Sequence, residues 1–136
     1  MKTFTLDKDI TIFYITASSF PEGVLTAHEE LHSLVPFSTE RKFFGVSRPE
    51  EDGPIVYRAA AEELFKGEAK KFNCDTLVLK KGEYIGKDVK NYINDVQSVQ
   101  LAFDEILEQP ALDPKGYCVE LYLSEKDVRC MIRLEN

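Results

Sequence analysis

The segment His28-Glu29-Glu30-Leu31-His32 matches the H-E-x-x-H pattern of zinc peptidases. Histidines at positions i and i+4 lie on one side of a helix and can bind a metal, while the glutamate can act as a general base. Such a site needs a third protein ligand, and because the sequence contains no further histidine, only a downstream carboxylate could complete it. Because both histidines flank an apolar stripe of the predicted helix, we interpret them as residues of an amphipathic helix near the surface and predict no metal site.

The last two predicted strands form a hairpin whose two faces differ in character. Closing its turn over residues 124–127 gives one wholly apolar face, on which the pairs are Leu123 with Val128, Leu121 with Cys130 and Val119 with Ile132. The opposite face then carries a mixed set of side chains: Cys118, Glu120, Tyr122, Arg129, Met131 and Arg133. A face of this composition is either a solvated surface or the wall of a binding groove.

Glu120 is the residue of this hairpin with the clearest chemical potential, because an acidic side chain interrupts a hydrophobic strand. One interpretation is a cross-strand ion pair with Arg129 or Arg133, which contributes little if it is exposed. The other is a partly buried carboxylate at the floor of an aromatic groove. There it would attract a cationic ligand, or act as an acid or base with a raised pKa.

The remaining reactive residues show no catalytic or metal-binding pattern. Cys74, Cys118 and Cys130 are odd in number and lack metal-type spacing, so we interpret them as reduced residues of the core. The sequence has no glycine-rich phosphate loop and no nucleophile-elbow motif. We therefore predict no cofactor.

Length and charge limit the classes of partner. The chain has 136 residues, 43% of them hydrophobic, which is enough for one domain with its own core. Its 24 acidic and 17 basic residues give a net charge of −7 at pH 7, and such a surface repels phosphate backbones. No apolar run reaches the ~20 residues of a membrane span, and no signal peptide is recognisable. We expect a cytoplasmic protein that contacts neither nucleic acid nor membranes directly.

Hydrophobic periodicity indicates two halves, each with the order β-α-β-β. The first half is predicted to form a strand, a helix and two strands over residues 10–16, 22–35, 41–47 and 55–61. The second half repeats this order over residues 76–80, a helix that ends near residue 108, 117–123 and 128–134. The second helix is predicted from one apolar stripe: Val89, Tyr92, Ile93, Val96, Val99, Phe103, Ile106 and Leu107. Because neither half can bury its helix alone, we predict one α+β domain over residues 1–136, with repeats at about 8–66 and 74–136.

This duplicated order, with local matches in the second half, resembles the GyrI-like family, whose effector-binding domain is also attached to AraC-type and MerR-type regulators. Lys80-Lys81-Gly82-Glu83-Tyr84 is similar to the lysine-glycine-aromatic opening of the family's second repeat. The segment DPKGYCVELYL, residues 113–123, resembles its aromatic-x-Glu-x-Tyr-Leu strand, and residues 127–132 resemble its closing strand. Residues 16–21 depart from the family's glycine-proline-tyrosine turn in the first repeat.

The resemblance implies two pseudo-symmetric repeats that form a concave antiparallel sheet backed by two helices. Ligands of the family, often aromatic and cationic, bind in a groove beside a glutamate on a central strand. Glu120 matches that glutamate, and Tyr122 would belong to the aromatic wall. Alternation along the strands adds Tyr84, Tyr57 and Phe44 as further candidates for ligand contact.

The resemblance predicts a stand-alone relative of these transcription-regulator domains, since no segment for a DNA reader precedes the first strand. It would bind a small molecule, aromatic or cationic, and we expect binding rather than turnover. One alternative is a hydrolase of electrophilic toxins, in which Glu120 activates water and Tyr84 or Tyr122 acts as an acid. Another is inhibition of a protein partner through an exposed patch, as in gyrase-inhibitory relatives. The sequence leaves the oligomeric state open.

Overall fold

The computed structural model describes residues 1–95 and 97–135. Eight strands, β1 to β8 in chain order, span Lys2–Leu6, Ile10–Thr16, Phe43–Pro49, Ile55–Glu62, Asp75–Leu79, Gly82–Val89, Cys118–Tyr122 and Val128–Arg133. Three helices, α1 to α3, span Val24–Leu34, Glu68–Lys71 and Gln97–Ile106, and a 3₁₀ turn spans Tyr92–Asn94. Among the described helices, none has the length and apolar character needed to cross a membrane.

All eight strands form one antiparallel sheet in the order β1-β6-β8-β7-β3-β4-β2-β5. The order is symmetric between the two halves of the chain. If β1 is exchanged with β5, β2 with β6, β3 with β7 and β4 with β8, the same order is read from the other edge of the sheet. β1 pairs with β6, and β5 pairs with β2, so each half gives its first strand to the other half. The two halves are also joined in the middle of the sheet, where β3 pairs with β7.

One face of the sheet curls over its own side chains. Seven strands contribute buried residues to a single cluster on this face: Ile10, Ile12, Phe44, Val46, Ala60, Leu79, Tyr84, Val119 and Met131. Tyr84 on β6 and Leu79 on β5 belong to this cluster although their strands lie near opposite edges of the sheet. The sheet is therefore a half-barrel, and we refer to this side as the curled face.

The two longer helices pack on the opposite face, each over a different part of the sheet. α1 packs against β2 and β4 through Ala27 and Leu31, and α3 packs against β6 and β8 through Phe103 and Ile106. The central strands β3 and β7 lie between these two helix-covered regions. The predicted α+β architecture, a concave antiparallel sheet backed by helices, is therefore confirmed, and its centre is where a side chain can remain accessible between the helices.

Two features of the second half differ from the sequence prediction. The strand that leads into α3 is β6, whereas the segment predicted for that position forms β5 at the sheet edge. The second helix also begins later than the apolar stripe suggests, because Val89 ends β6 and Asn91 has a left-handed φ of 54° that an α-helix cannot continue. Val96, part of the predicted stripe, lies outside the described residues.

Candidate functional site

The register of the last hairpin decides which side chains surround Glu120. Glu120 pairs with Cys130, and Tyr122 pairs with Val128, so the predicted register is wrong by one residue. A shift of one residue moves a whole set of side chains to the other face of a strand. Arg129 and Arg133 consequently lie on the face opposite Glu120.

Of the two interpretations of Glu120, the ion pair with Arg129 or Arg133 is therefore wrong. Arg129 Nε donates to Asp88 Oδ1 at 2.8 Å, and Arg133 Nη1 donates to Asp113 Oδ2 at 3.3 Å. In residues 1–95 and 97–135, Glu120 forms no ion pair with any lysine, arginine or histidine. Within the part of the chain that the structure describes, its negative charge therefore has no cationic partner.

Glu120, Tyr57, Tyr122 and His28 form one hydrogen-bonded cluster, which we name the Glu120 site. Both tyrosine hydroxyls donate to the same carboxylate oxygen, Glu120 Oε1, at 2.8 Å from Tyr57 and 2.6 Å from Tyr122. The two hydroxyl oxygens are 3.3 Å apart. Three elements supply these side chains: β7 carries Glu120 and Tyr122, β4 carries Tyr57, and α1 carries His28.

The proton positions in this cluster follow from counting donors. His28 Nε2 lies 2.8 Å from Tyr57 Oη and 3.3 Å from Tyr122 Oη, and each hydroxyl gives its only proton to Glu120. His28 must therefore donate from Nε2, which assigns the proton of the neutral ring to that nitrogen. Burial, together with the neighbouring His32, lowers the pKa of His28 to about 4, so the imidazole is uncharged at pH 7.

Gly45 on β3 makes room for the cluster. It lies directly across from Glu120 in the β3–β7 pair. A methyl group at this position would come within 2.0 Å of Tyr57 Oη and 2.6 Å of Glu120 Oε1. The hydroxyl and the carboxylate can meet over the middle of the sheet because the residue beneath them has no side chain.

Aromatic rings surround the carboxylate. Phe20, in the loop before α1, stacks on Tyr57 with the ring centroids 5.9 Å apart. Tyr92, in the 3₁₀ turn before α3, lies with its ring centroid 5.8 Å from that of Tyr122. Residues 16–21, which depart from the family's turn, thus still bring an aromatic ring to the site. Each repeat therefore contributes one ring from the segment that precedes its helix.

The Glu120 carboxylate is held in a poorly hydrated environment and keeps one accessible oxygen. Burial raises its pKa above the ordinary value, although the hydrogen bonds from Tyr122 and Tyr57 oppose that shift. Its neighbours along the sheet are thiols, and burial raises the pKa of Cys118 to about 11 and that of Cys130 to about 12. Oε2 accepts no hydrogen bond from a described residue, and it is not among the described atoms that are both buried and unpaired. That oxygen can therefore bind a ligand.

The predicted site residues fall on two faces of the sheet. Glu120, Tyr122 and Tyr57 are brought together, whereas Tyr84 and Phe44 are buried on the curled face. Tyr84 Oη donates to the carbonyl oxygen of Lys80 at 2.6 Å. Tyr84 therefore cannot share a substrate with Glu120, as one form of the hydrolase alternative requires, because the sheet separates the two side chains.

His28 is the member of the site that sequence reasoning missed. Its H-E-x-x-H spacing drew attention to metal binding, but His28 turns toward Tyr57, and His32 Nδ1 lies 3.1 Å from the carbonyl oxygen of Val35. Among the residues described, no group of three or more metal-type side chains could hold an ion. The available signal was the position of His28 beside the apolar stripe of α1, which places it at the border between helix and sheet.

Replacement of Glu120 by glutamine is expected to stabilise the fold at neutral pH. A carboxyl group whose pKa is higher in the folded than in the unfolded state lowers the free energy of unfolding as the pH rises through that interval. Glutamine retains an acceptor for both tyrosines but carries no charge. We expect the thermal unfolding temperature of Glu120→Gln to lie above that of the wild type at pH 7, and the difference to shrink as the pH falls toward the range in which an unfolded glutamate is protonated. Unchanged or lower stability would mean that the charge strengthens the tyrosine hydrogen bonds by more than its burial costs.

Comparison with known proteins identifies structural neighbours but no sequence family: no protein-family model matches the chain, and no curated protein matches it significantly. SAV2435, solved bound to tetraphenylphosphonium, matches over 99% of this chain and 93% of its own, with a TM-score of 0.73 and 14% identity. The integron cassette protein VCH_CASS2 from the mobile metagenome of Vibrio cholerae matches over 98% of this chain and 95% of its own, with a TM-score of 0.68 and 13% identity. At these identities the similarity shows that the three chains share a fold.

Proposed function

We propose that this protein binds a small aromatic cation at the Glu120 site. The observation that carries the proposal is the Glu120 carboxylate, which lies partly buried among aromatic rings and forms no ion pair within the described residues. A carboxylate in such surroundings is a costly feature if it serves stability alone. A cationic ligand would supply the missing counter-charge at Oε2.

The surrounding rings favour a cation whose charge is delocalised. Such an ion loses less hydration free energy than an ammonium group when it enters a poorly hydrated site. Tyr122, Tyr92 and Phe20 are at least partly exposed near the carboxylate and can offer aromatic faces or edges to a ligand, and each cation–π contact contributes roughly 0.5–2 kcal/mol. The net charge of −7 also favours the approach of cations over anions from solution.

One structural neighbour, SAV2435, supports the same class of ligand. Tetraphenylphosphonium, bound to SAV2435, is a cation surrounded by phenyl rings. That protein is only 14% identical to this chain. The shared fold is therefore a reason to choose tetraphenylphosphonium as a probe, but it does not identify which residues of this chain would bind it. A ligand-binding domain of the GyrI-like type is the form of this proposal that the sequence resemblance favours.

The proposal is tested by titrating tetraphenylphosphonium into the wild-type protein and into Glu120→Gln, with heat as the readout. We expect saturable binding by the wild type and a loss of affinity of about tenfold or more in the variant, or ~1.4 kcal/mol. A neutral analogue, triphenylmethanol, should bind weakly and equally to both proteins. The loss of affinity for tetraphenylphosphonium would be due to the missing charge, since glutamine keeps the shape of the side chain and an acceptor for both tyrosines.

Glu108→Gln provides the matched control. Glu108 is exposed, and the substitution changes the net charge by the same amount without touching the Glu120 site. Its affinity for tetraphenylphosphonium should equal that of the wild type. Equal losses in the two variants would show that overall charge attracts the ligand, and no binding by folded wild-type protein would refute the proposal.

A further inference from the structure

A cavity of ≈300 Å³ lies on the curled face of the sheet, on the other side from the Glu120 site. Its apolar wall contains Leu77, Leu79, Tyr84 and Val119. Val119 immediately precedes Glu120 on β7, and consecutive strand residues point to opposite faces. The cavity is therefore separate from the Glu120 site, with one thickness of sheet between them.

The polar part of the cavity wall is mainly cationic. Four basic residues line it, Arg48, Lys80, Lys115 and Arg133, together with one acidic residue, Asp113. This local excess has the opposite sign to the net charge of −7. A cavity with basic and apolar lining in an acidic protein favours an anion that has an apolar body.

Both arginines are fixed by the protein and keep an unused donor. Arg48 donates from Nε to Glu50 at 3.1 Å and from Nη1 to the carbonyl oxygen of Lys115 at 2.7 Å, and its guanidinium lies 4.0 Å from the ring centroid of Tyr117. Arg133 donates from Nε to the carbonyl oxygen of Lys81 at 2.9 Å. Neither Nη2 atom donates to a described residue, and neither is among the described atoms that are both buried and unpaired.

The acidic residues nearby leave the positive charge only partly neutralised. Glu50 Oε1 is shared between Arg48 and Arg58, each at 3.1 Å, so a single carboxylate faces two guanidinium groups. Asp113 pairs with Arg133. Neither Lys80 nor Lys115 forms an ion pair within residues 1–95 and 97–135. An anion in the cavity would thus meet uncompensated charge.

We propose that this cavity is a second ligand site, which binds a small aromatic carboxylate. A guanidinium group is planar and matches the geometry of a carboxylate. When the protein already holds the group in place, little side-chain entropy is lost on binding. The ring of the ligand would pack against Leu77, Leu79 and Tyr84. The volume lies at the lower end of the range for small-molecule sites, which fits one or two fused rings.

The test is a titration with 2-naphthoate, followed by its fluorescence, which is free of tryptophan background because the chain contains no tryptophan. The informative variant is Lys80→Gln/Lys115→Gln, which removes two exposed charges and leaves the arginine contacts in place. The matched control is Lys42→Gln/Lys66→Gln, since both lysines are exposed and neither lines the cavity. Circular dichroism establishes that each protein is folded.

We expect saturable binding of 2-naphthoate by the wild type and the control, and affinity about fivefold lower in the cavity variant. Neutral 2-naphthamide should bind more weakly than 2-naphthoate to the wild type. Equal affinities of the cavity and control variants, equal affinities for acid and amide, or no binding by folded wild type would each overturn the proposal. None of these results depends on Glu120, so failure of this proposal would leave the proposed cation site untouched. The cation site is tested separately by the titration with tetraphenylphosphonium.

Discussion

Gly45→Ala is expected to lower the free energy of unfolding by about 2–3 kcal/mol and to abolish cation binding at the Glu120 site. The added methyl group would lie 2.0 Å from Tyr57 Oη and 2.7 Å from Tyr57 Cζ. Tyr57 is only 2% exposed, so its ring cannot swing aside without disturbing the packing under α1. Urea unfolding measures the loss of stability, and titration with tetraphenylphosphonium measures the loss of binding.

Gly53→Ala is the control for this prediction. Gly53 lies in the exposed turn between β3 and β4, where the nearest atom to an added methyl group would be 3.1 Å away. This variant should retain binding and most of its stability. If Gly45→Ala bound tetraphenylphosphonium as tightly as the wild type, then the close contact among Gly45, Tyr57 and Glu120 would have no part in ligand binding.

Acidification below pH 6.5 is expected to destabilise the protein through His28, by an amount on the order of 2 kcal/mol at pH 4. The pKa of His28 is about 4 in the fold and 6.5 in the unfolded chain. Between these values the unfolded state binds more protons, so stability is retained above pH 6.5 and is lost as the pH falls toward 4. Because His28 is partly exposed to solvent, we expect a smaller loss of stability than the full difference between the two pKa values would give.

His28→Gln should remove this component of the pH dependence, since glutamine can donate to Tyr57 without titrating. Thermal unfolding of wild type and variant at a series of pH values from 7 to 4 gives the difference directly. His32→Gln leaves the His28–Tyr57 contact in place and should reduce the pH dependence only in part, because burial of His28 is the larger cause of its lowered pKa and His32 the smaller. If the difference in stability between wild type and His28→Gln were the same at every pH, the assignment of a neutral, partly buried imidazole to His28 would be contradicted.

The stabilities of these variants bear on why the protein retains Glu120. Burial works against its charge, and two tyrosine hydroxyls only partly offset that effect. Glutamine at this position is expected to give a more stable protein whose affinity for tetraphenylphosphonium is lower by about tenfold or more. Such a pair of results would identify the carboxylate as a feature retained for ligand binding at the expense of stability.

Much of the fold could be predicted from local patterns. The alternation of apolar residues placed β2 at residues 10–16, as observed, and located β3, β4, β7 and β8 to within two residues. The apolar stripe of α1 likewise predicted a helix close to its observed bounds. These elements follow from the sequence because each has a period that matches one backbone conformation and one buried face.

The exchange of edge strands could not be predicted in this way. β1 and β5 are short, and each pairs with a strand of the other half. Local sequence specifies that a segment is extended, but the choice of its partner depends on which edge is free once the rest of the sheet has formed. Gly82 favours a turn over a strand in a local pattern, so periodicity alone does not identify β6 as the strand that precedes α3.

The residues of the candidate site could likewise be predicted only in part. By itself, the sequence determined that an acid lies in an apolar strand beside Tyr122, and this pattern selected Glu120. Only the tertiary structure decided the register that removes both arginines from its face, the approach of His28 from α1 and the placement of Tyr57 over Gly45. The physical reason is that periodicity along one strand fixes which neighbours share a face, whereas charge balance and hydrogen bonding depend on residues brought together from three separate elements.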